Sequence, residues 1–121
     1  MQLTNNQIEF IKNSKFGIIA TSKDNHPRAC IAMPEIAEND YVIFADVQMK
    51  KTNVNIQSNA KVFVSFYDEE LVHCLKADGV AEYITTGDTC EKIKAKLKPE
   101  GLSVKAVIKI KLSNIFEGKE E

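Results

Sequence analysis

The residues best placed to do chemistry are Lys50, Lys51 and Thr52, which open a short helical stretch running to about Ser58. Cationic side chains are disfavoured at a helix start, because the aligned peptide dipoles already make that end positive. Two adjacent lysines there break a local rule, and a bound anion is one way such a break is compensated. Unpaired backbone N–H groups, two ammonium groups and the Thr52 hydroxyl would together suit a phosphate. The plainer reading leaves both lysines in water before the helix begins. Arg28 is the second candidate. It opens a strand directly after a turn, where its guanidinium could reach back to an anion bidentately. The plainer reading of Arg28 is a solvated strand-end arginine.

Other reactive residue types point to less. His73 and Cys74 are adjacent on an expected strand, so their side chains face opposite ways and cannot form a hydrogen-bonded dyad. His26 sits in a turn before Pro27 and reads as solvated. Asp68-Glu69-Glu70 reads as a charged hairpin turn rather than an acid–base pair, with no partner group evident. The three cysteines, Cys30, Cys74 and Cys90, are scattered and odd in number, which argues against a disulfide framework and against a zinc site. Lys92, Lys94, Lys96 and Lys98 scatter around a helix at a spacing of two, while Lys105, Lys109 and Lys111 share one face of the last strand. Without interleaved aromatic residues these lysines read as a solvated face, not a nucleic-acid surface.

The elements that would position these groups follow from periodicity and punctuation. Thr4 and Gln7 form a capping-box pattern that opens a short helix, with Ile8, Ile11 and Lys15 on one face. Strands are expected at Phe16–Ser22, Arg28 to about Ala37, and Tyr41–Val47, with turns at Asp24-Asn25-His26-Pro27 and Glu38-Asn39-Asp40. Pro34 requires an edge or a bulge. The second and third strands would form a hairpin. After the Lys50–Ser58 helix, Ala60–Tyr67 alternates cleanly, with Val62, Val64 and Phe66 on one face. Its other face, Phe63, Ser65 and Tyr67, is also partly apolar, so both faces should be covered. A strand from Leu71 to Ile84 follows, with Gly79 as a bend or bulge. Asp88 would cap a helix ended by Pro99 and Gly101. In the last strand Val104, Ala106, Ile108, Ile110 and Leu112 face one way, and Val107 breaks the pattern on the lysine side. Short turns favour antiparallel pairing, and six such strands can close into a barrel, which removes exposed edges.

With 121 residues the chain fits one domain, residues 1–121, and two separate cores are excluded. Sixteen Lys and Arg against 17 Asp and Glu, a net charge of -1, give no global attraction to nucleic acid or anionic membrane. No apolar run approaches the roughly 18 residues of a membrane helix. No leader of charged then apolar residues is visible at the start, so the expected location is cytoplasmic.

The order of residues resembles the pyridoxamine 5′-phosphate oxidase-like FMN-binding split barrels. Phe16-Gly17-Ile18-Ile19-Ala20-Thr21 is similar to that family's first barrel strand, and Arg28-Ala29-Cys30-Ile31-Ala32-Met33 to its second, opened by an arginine. Val42-Ile43-Phe44-Ala45-Asp46-Val47-Gln48-Met49-Lys50-Lys51-Thr52 resembles the next strand and the phosphate loop. Asn55 to Val62 and Ala77-Asp78-Gly79-Val80-Ala81-Glu82 continue the likeness, which spans about residues 5 to 84.

The resemblance implies a mainly β fold, a six-stranded antiparallel split barrel with peripheral helices, and FMN as cofactor. Lys50, Lys51 and Thr52 would hold the phosphate, with Arg28 assisting and Asn55 supporting the loop. Ile31, Ala32 and Met33 would lie along the isoalloxazine ring; Ala45, Asp46, Val47 and Gln48 would border the ribityl chain and ring edge. A homodimer with flavin at the interface is implied, as is a flavin-dependent oxidoreductase acting on a small-molecule redox substrate. The alternatives are a non-enzymatic FMN or electron-transfer module, or a flavin-free barrel binding haem or another partner. Met33 stands where pyridoxamine phosphate oxidases commonly carry lysine, Met49 where they carry serine and Cys74 where they carry glutamine. Oxidation of pyridoxamine 5′-phosphate itself is therefore not expected.

Overall fold

The computed structural model describes residues 1–70 and 72–118. Helix α1 (Asn5–Asn13) opens the chain, followed by β1 (Gly17–Lys23), β2 (His26–Ala32), β3 (Pro34–Glu38) and β4 (Tyr41–Asp46). Helix α2 (Lys51–Ser58) leads into β5 (Lys61–Tyr67) and β6 (Cys74–Ile84). Then come α3 (Asp88–Leu97), a 3-10 turn at Lys98–Glu100, and β7 (Ala106–Phe116). Leu71, the expected start of β6, lies outside the described residues, as do the last three positions of the chain.

All strand pairs are antiparallel, in one seven-stranded sheet of order β2-β1-β5-β6-β7-β4-β3. The two edge strands, β2 and β3, are consecutive in the chain with only Met33 between them. The sheet must therefore curl until its edges meet at that corner, and they stay unpaired along their length: a split barrel.

The expected strand from Arg28 to Ala37 is in fact two, which makes seven strands among the described residues rather than six. Pro34 has no N–H to give to a ladder and forces the residue before it, Met33, out of regular register. The chain leaves one sheet edge there and joins the other. Consequently β2 pairs with β1 across a two-residue turn at Asp24-Asn25, both with positive φ, as a type I′ hairpin demands. Only β3 forms the expected hairpin with β4.

The capping box at Thr4 and Gln7 is present, and Ile11 is fully buried. Lys15 does not share the helix face. It lies beyond the helix end and pairs with Glu69 in the β5–β6 turn. Asp88 does not cap α3; Gly87, at φ 107°, occupies that place, and Asp88 sits inside the first turn, where its charge complements the helix dipole.

The main core fills the barrel interior, where Phe44 and Phe66 stack with ring centroids 6.0 Å apart among Ile19, Val64, Ile108 and Ile110. A second cluster lies outside the sheet, where α3 lays Cys90, Ile93 and Leu97 on Ile43 and Val107. This explains why Val107 breaks the lysine pattern of β7: α3 covers that patch of the outer face.

Gly79 is not itself the bulge. The register shift falls between Ala77 and Asp78, and the extra residue is Asn114 of β7, at φ 36°. Gly79 is required for space, since a Cβ there would meet Ile110 Cγ2 at 2.5 Å and the Lys111 carbonyl at 3.1 Å. Ile110 is fully buried and has nowhere to yield. Gly79→Ala is expected to cost about 2 kcal/mol of stability by overpacking, read from denaturant unfolding.

Candidate functional site

At the split corner, where β2 ends, the loop after β4 and the first turn of α2 come together with the end of α3. They border an open-mouthed cavity of about 610 Å³. That volume is ordinary for a small-molecule or cofactor site. Ile31, Ala32 and Met33 form one wall and Ala45, Val47 and Gln48 another, with Lys50 and Thr52 at the α2 end. Ile31 and Met33 are 71% and 60% exposed, which leaves apolar surface open on this edge.

Arg28, Lys51 and Asn55 do not line that cavity. They border a separate cleft of about 340 Å³ on the other side of the first turn of α2, together with Lys23 and His26. Consecutive helical residues diverge by about 100°, so Lys50 and Lys51 serve different clefts. The Asn55 amide donates to the buried Thr21 hydroxyl at 3.1 Å, which ties α2 to β1. Among the described residues, Lys23, Arg28, Lys50 and Lys51 make no ion pair. Helix α2 has no acidic residue in its first turn and no side-chain cap. The helix start is thus left electropositive, an arrangement that suits an anion.

Asp46 is not brought to the cavity. Its side chain is fully buried behind the loop, where it accepts hydrogen bonds from the Met49 N–H at 2.9 Å and from the Tyr83 hydroxyl. The Asn53 amide reaches it at 3.5 Å and the Lys105 ammonium lies 3.7 Å away. Turning its amino group to Asp46 leaves the Asn53 Oδ1 buried without a partner, a cost of about 1–3 kcal/mol that the pull of the carboxylate must offset. Burial, and after it the bond to Asp46, holds the Tyr83 hydroxyl above its ordinary range.

Cys30, Glu35, Met49, Leu97, Glu100 and Leu102 also line the cavity and were not singled out in the sequence as site residues. Met49 was signalled by contiguity, lying between Gln48 and Lys50. Leu97, Glu100 and Leu102 carried no signal, because only the packing of α3 on the sheet brings them to the end of β2. The Glu35 side chain is only 7% exposed and pairs with Lys96 of α3 at 3.1 Å, which fixes that wall.

Away from the cavity, the Asp68-Glu69-Glu70 turn has the partners its sequence did not reveal. Asp68 accepts from the His73 ring at 2.6 Å, and this bond holds its carboxyl below the usual range. Cys74 is half-buried and His73 is exposed. The C-terminal lysines are mostly tied locally: Lys94 to Glu91, Lys111 to Asp40, and Lys109 over the Tyr41 ring at 4.3 Å. No helix among the described residues is long and apolar enough to cross a membrane.

This fold is shared with known structures. HupZ of Group A Streptococcus superposes with a TM-score of 0.84 at 24% identity, covering 95% of this chain and 93% of that one. An FMN-binding protein of Syntrophomonas wolfei gives 0.78 at 15% identity, covering 94% and 87%. In sequence, an uncharacterized protein of Methanocaldococcus jannaschii is 32% identical over 127 aligned positions, covering 98% of this chain and 83% of that protein. The family described as pyridoxamine 5′-phosphate oxidase matches residues 3–117. By that match across nearly its whole length, the chain belongs to the pyridoxamine 5′-phosphate oxidase family.

Proposed function

We propose that this protein binds FMN in the 610 Å³ cavity and acts as a flavin-dependent oxidoreductase on a small-molecule redox partner. The observation that carries this reading is the polarity of the cavity. An apolar strand edge at Ile31–Met33 runs toward an uncapped, acid-free helix start at Lys50 and Thr52. A ring system with a phosphate tail has that same polarity.

When bound, FMN supplies the two-electron chemistry. The chain's own residues do the rest. Lys50 and the α2 N–H groups would offset the phosphate charge, and the Thr52 hydroxyl would donate to it. Lys51 and Arg28 would add positive potential from the neighbouring cleft. Ile31, Ala32 and Met33 would exclude water from one side of the ring, while Ala45, Val47 and Gln48 border it on the other. Asn55 holds α2 in place through Thr21.

We further propose a homodimer. The outward face of β2, β1 and β5 carries the exposed Ile31 beside Ile18, and Ala20 opposite Phe63, an apolar surface that a second copy would cover. The three free cysteines fit a cytoplasmic setting. The FMN-loaded protein, mixed with reduced nicotinamide nucleotide in a stopped-flow instrument, should bleach its flavin absorbance within seconds. It should also scatter light as a dimer. A flavin that stays oxidised with every nicotinamide donor would favour a carrier over an enzyme, and a monomer by light scattering would remove the dimer.

A further inference from the structure

Lys105 lies just before β7, outside the cavity, yet it holds the cavity loop at three points. Its backbone N–H donates to the Asp46 carbonyl at 2.8 Å. Its ammonium group donates to the Met49 carbonyl at 2.9 Å and lies 3.7 Å from the Asp46 carboxylate. The Met49 N–H is meanwhile taken by that same carboxylate. Both backbone groups of Met49 are therefore committed to the Asp46–Lys105 side.

This has a geometric consequence at the next residue. A trans peptide is planar, and its C=O and N–H point in opposite directions. No peptide bond among the described residues is cis. With the Met49 carbonyl drawn to Lys105, the N–H of Lys50 must point away from Lys105. Lys50 lines the cavity, and its N–H donates to no group among the described residues. The N–H groups of the first turn of α2 behind it have no acceptor within the helix either.

We propose that Lys105 is a positioning residue for the anion end of the site: by holding the Met49 carbonyl it turns the Lys50 N–H toward a bound phosphate. Asp46 is the counter-ion that keeps the Lys105 ammonium in place. The inference rests on the FMN reading only for the identity of the ligand; the peptide orientation is independent of it. It gives a role to a lysine that strand periodicity alone assigns to solvent.

The test separates phosphate recognition from simple folding. Affinities of wild type, Lys105→Met and Lys105→Arg are measured for FMN and for riboflavin, which lacks the phosphate. Lys105→Met should weaken FMN by about tenfold while leaving riboflavin within about twofold, and Lys105→Arg should restore FMN binding. FMN affinity unchanged in Lys105→Met, or both flavins weakened equally, would overturn the proposal. If wild type binds neither flavin, the FMN reading fails, and the decision passes to inorganic phosphate followed through the Lys50 amide resonance. A shift of that resonance in wild type that disappears in Lys105→Met supports the positioning role. No shift in wild type, or an equal shift in both, overturns it.

Discussion

Replacing Lys50 and Lys51 together by alanine is expected to weaken FMN binding by about 100-fold, with little change in stability. Hydrogen bonds to a charged group contribute roughly 1.5–3 kcal/mol, and a tenfold change in affinity corresponds to about 1.4 kcal/mol. Loss of one direct ammonium contact and one neighbouring positive charge therefore amounts to about two powers of ten. Stability should hold because both side chains are exposed and make no ion pair among the described residues. Relieving two like charges at a helix start even favours the helix slightly. Fluorescence titration gives the affinity and thermal unfolding the stability. The two single variants should differ, because Lys50 lines the cavity and Lys51 the neighbouring cleft. Lys50→Ala should carry the larger share. Equal affinity in the double variant and wild type would mean that the phosphate lies elsewhere.

Asp46→Ala should have the opposite profile, a large loss of stability that takes the site with it. The carboxylate is fully buried and is the common acceptor for the Met49 N–H, the Tyr83 hydroxyl and the Asn53 amide, with Lys105 beside it. Its removal strands these donors together. Breaking a buried charged network by deleting one partner costs about 3–5 kcal/mol. For a domain of this size that lowers the unfolding midpoint by on the order of 10–20 °C. Asp46→Asn keeps one acceptor oxygen and should cost clearly less. A midpoint within a few degrees of wild type for Asp46→Ala would show that the network contributes little.

Asp46 also shows how far a sequence can be read. Its place in the run from Val42 to Thr52, which resembles the family's strand and phosphate loop, implied a cofactor contact, and its neighbours Ala45 and Val47 do line the cavity. Strand alternation at the end of β4 turns it inward instead, and its partners Tyr83 and Lys105 lie 37 and 59 positions further on, where no local pattern points to them. Conversely, the capping box at Thr4, the alternation of Val62, Val64 and Phe66, and a turn within Asp24-Asn25-His26-Pro27 were legible because each depends on neighbours within a few residues, although the turn is only Asp24-Asn25 and β2 already begins at His26 rather than Arg28. The split at Met33 was half legible. Pro34 announced an interruption, but only the closed path of the sheet decides that the two halves join opposite edges. Leu97, Glu100 and Leu102 were not legible as site residues at all, since their role arises from where α3 docks.

The departures at Met33 and Met49 take on a spatial meaning. Both line the cavity, where a lysine and a serine would have made its walls more polar. With methionine at both places the wall against the proposed ring is apolar and deformable. Such a wall would accommodate a flat ring and, on the proposed reading, would leave the direct contacts for orientation to backbone groups and Gln48.

The central claim, that the cavity is a flavin phosphate-and-ring site, is tested most directly by titrating the flavin-free protein with FMN and following flavin fluorescence and absorbance. The account predicts saturation at one FMN per chain, with a shifted flavin absorbance band and weaker binding of riboflavin. No saturable binding, or riboflavin bound as tightly as FMN, would contradict it.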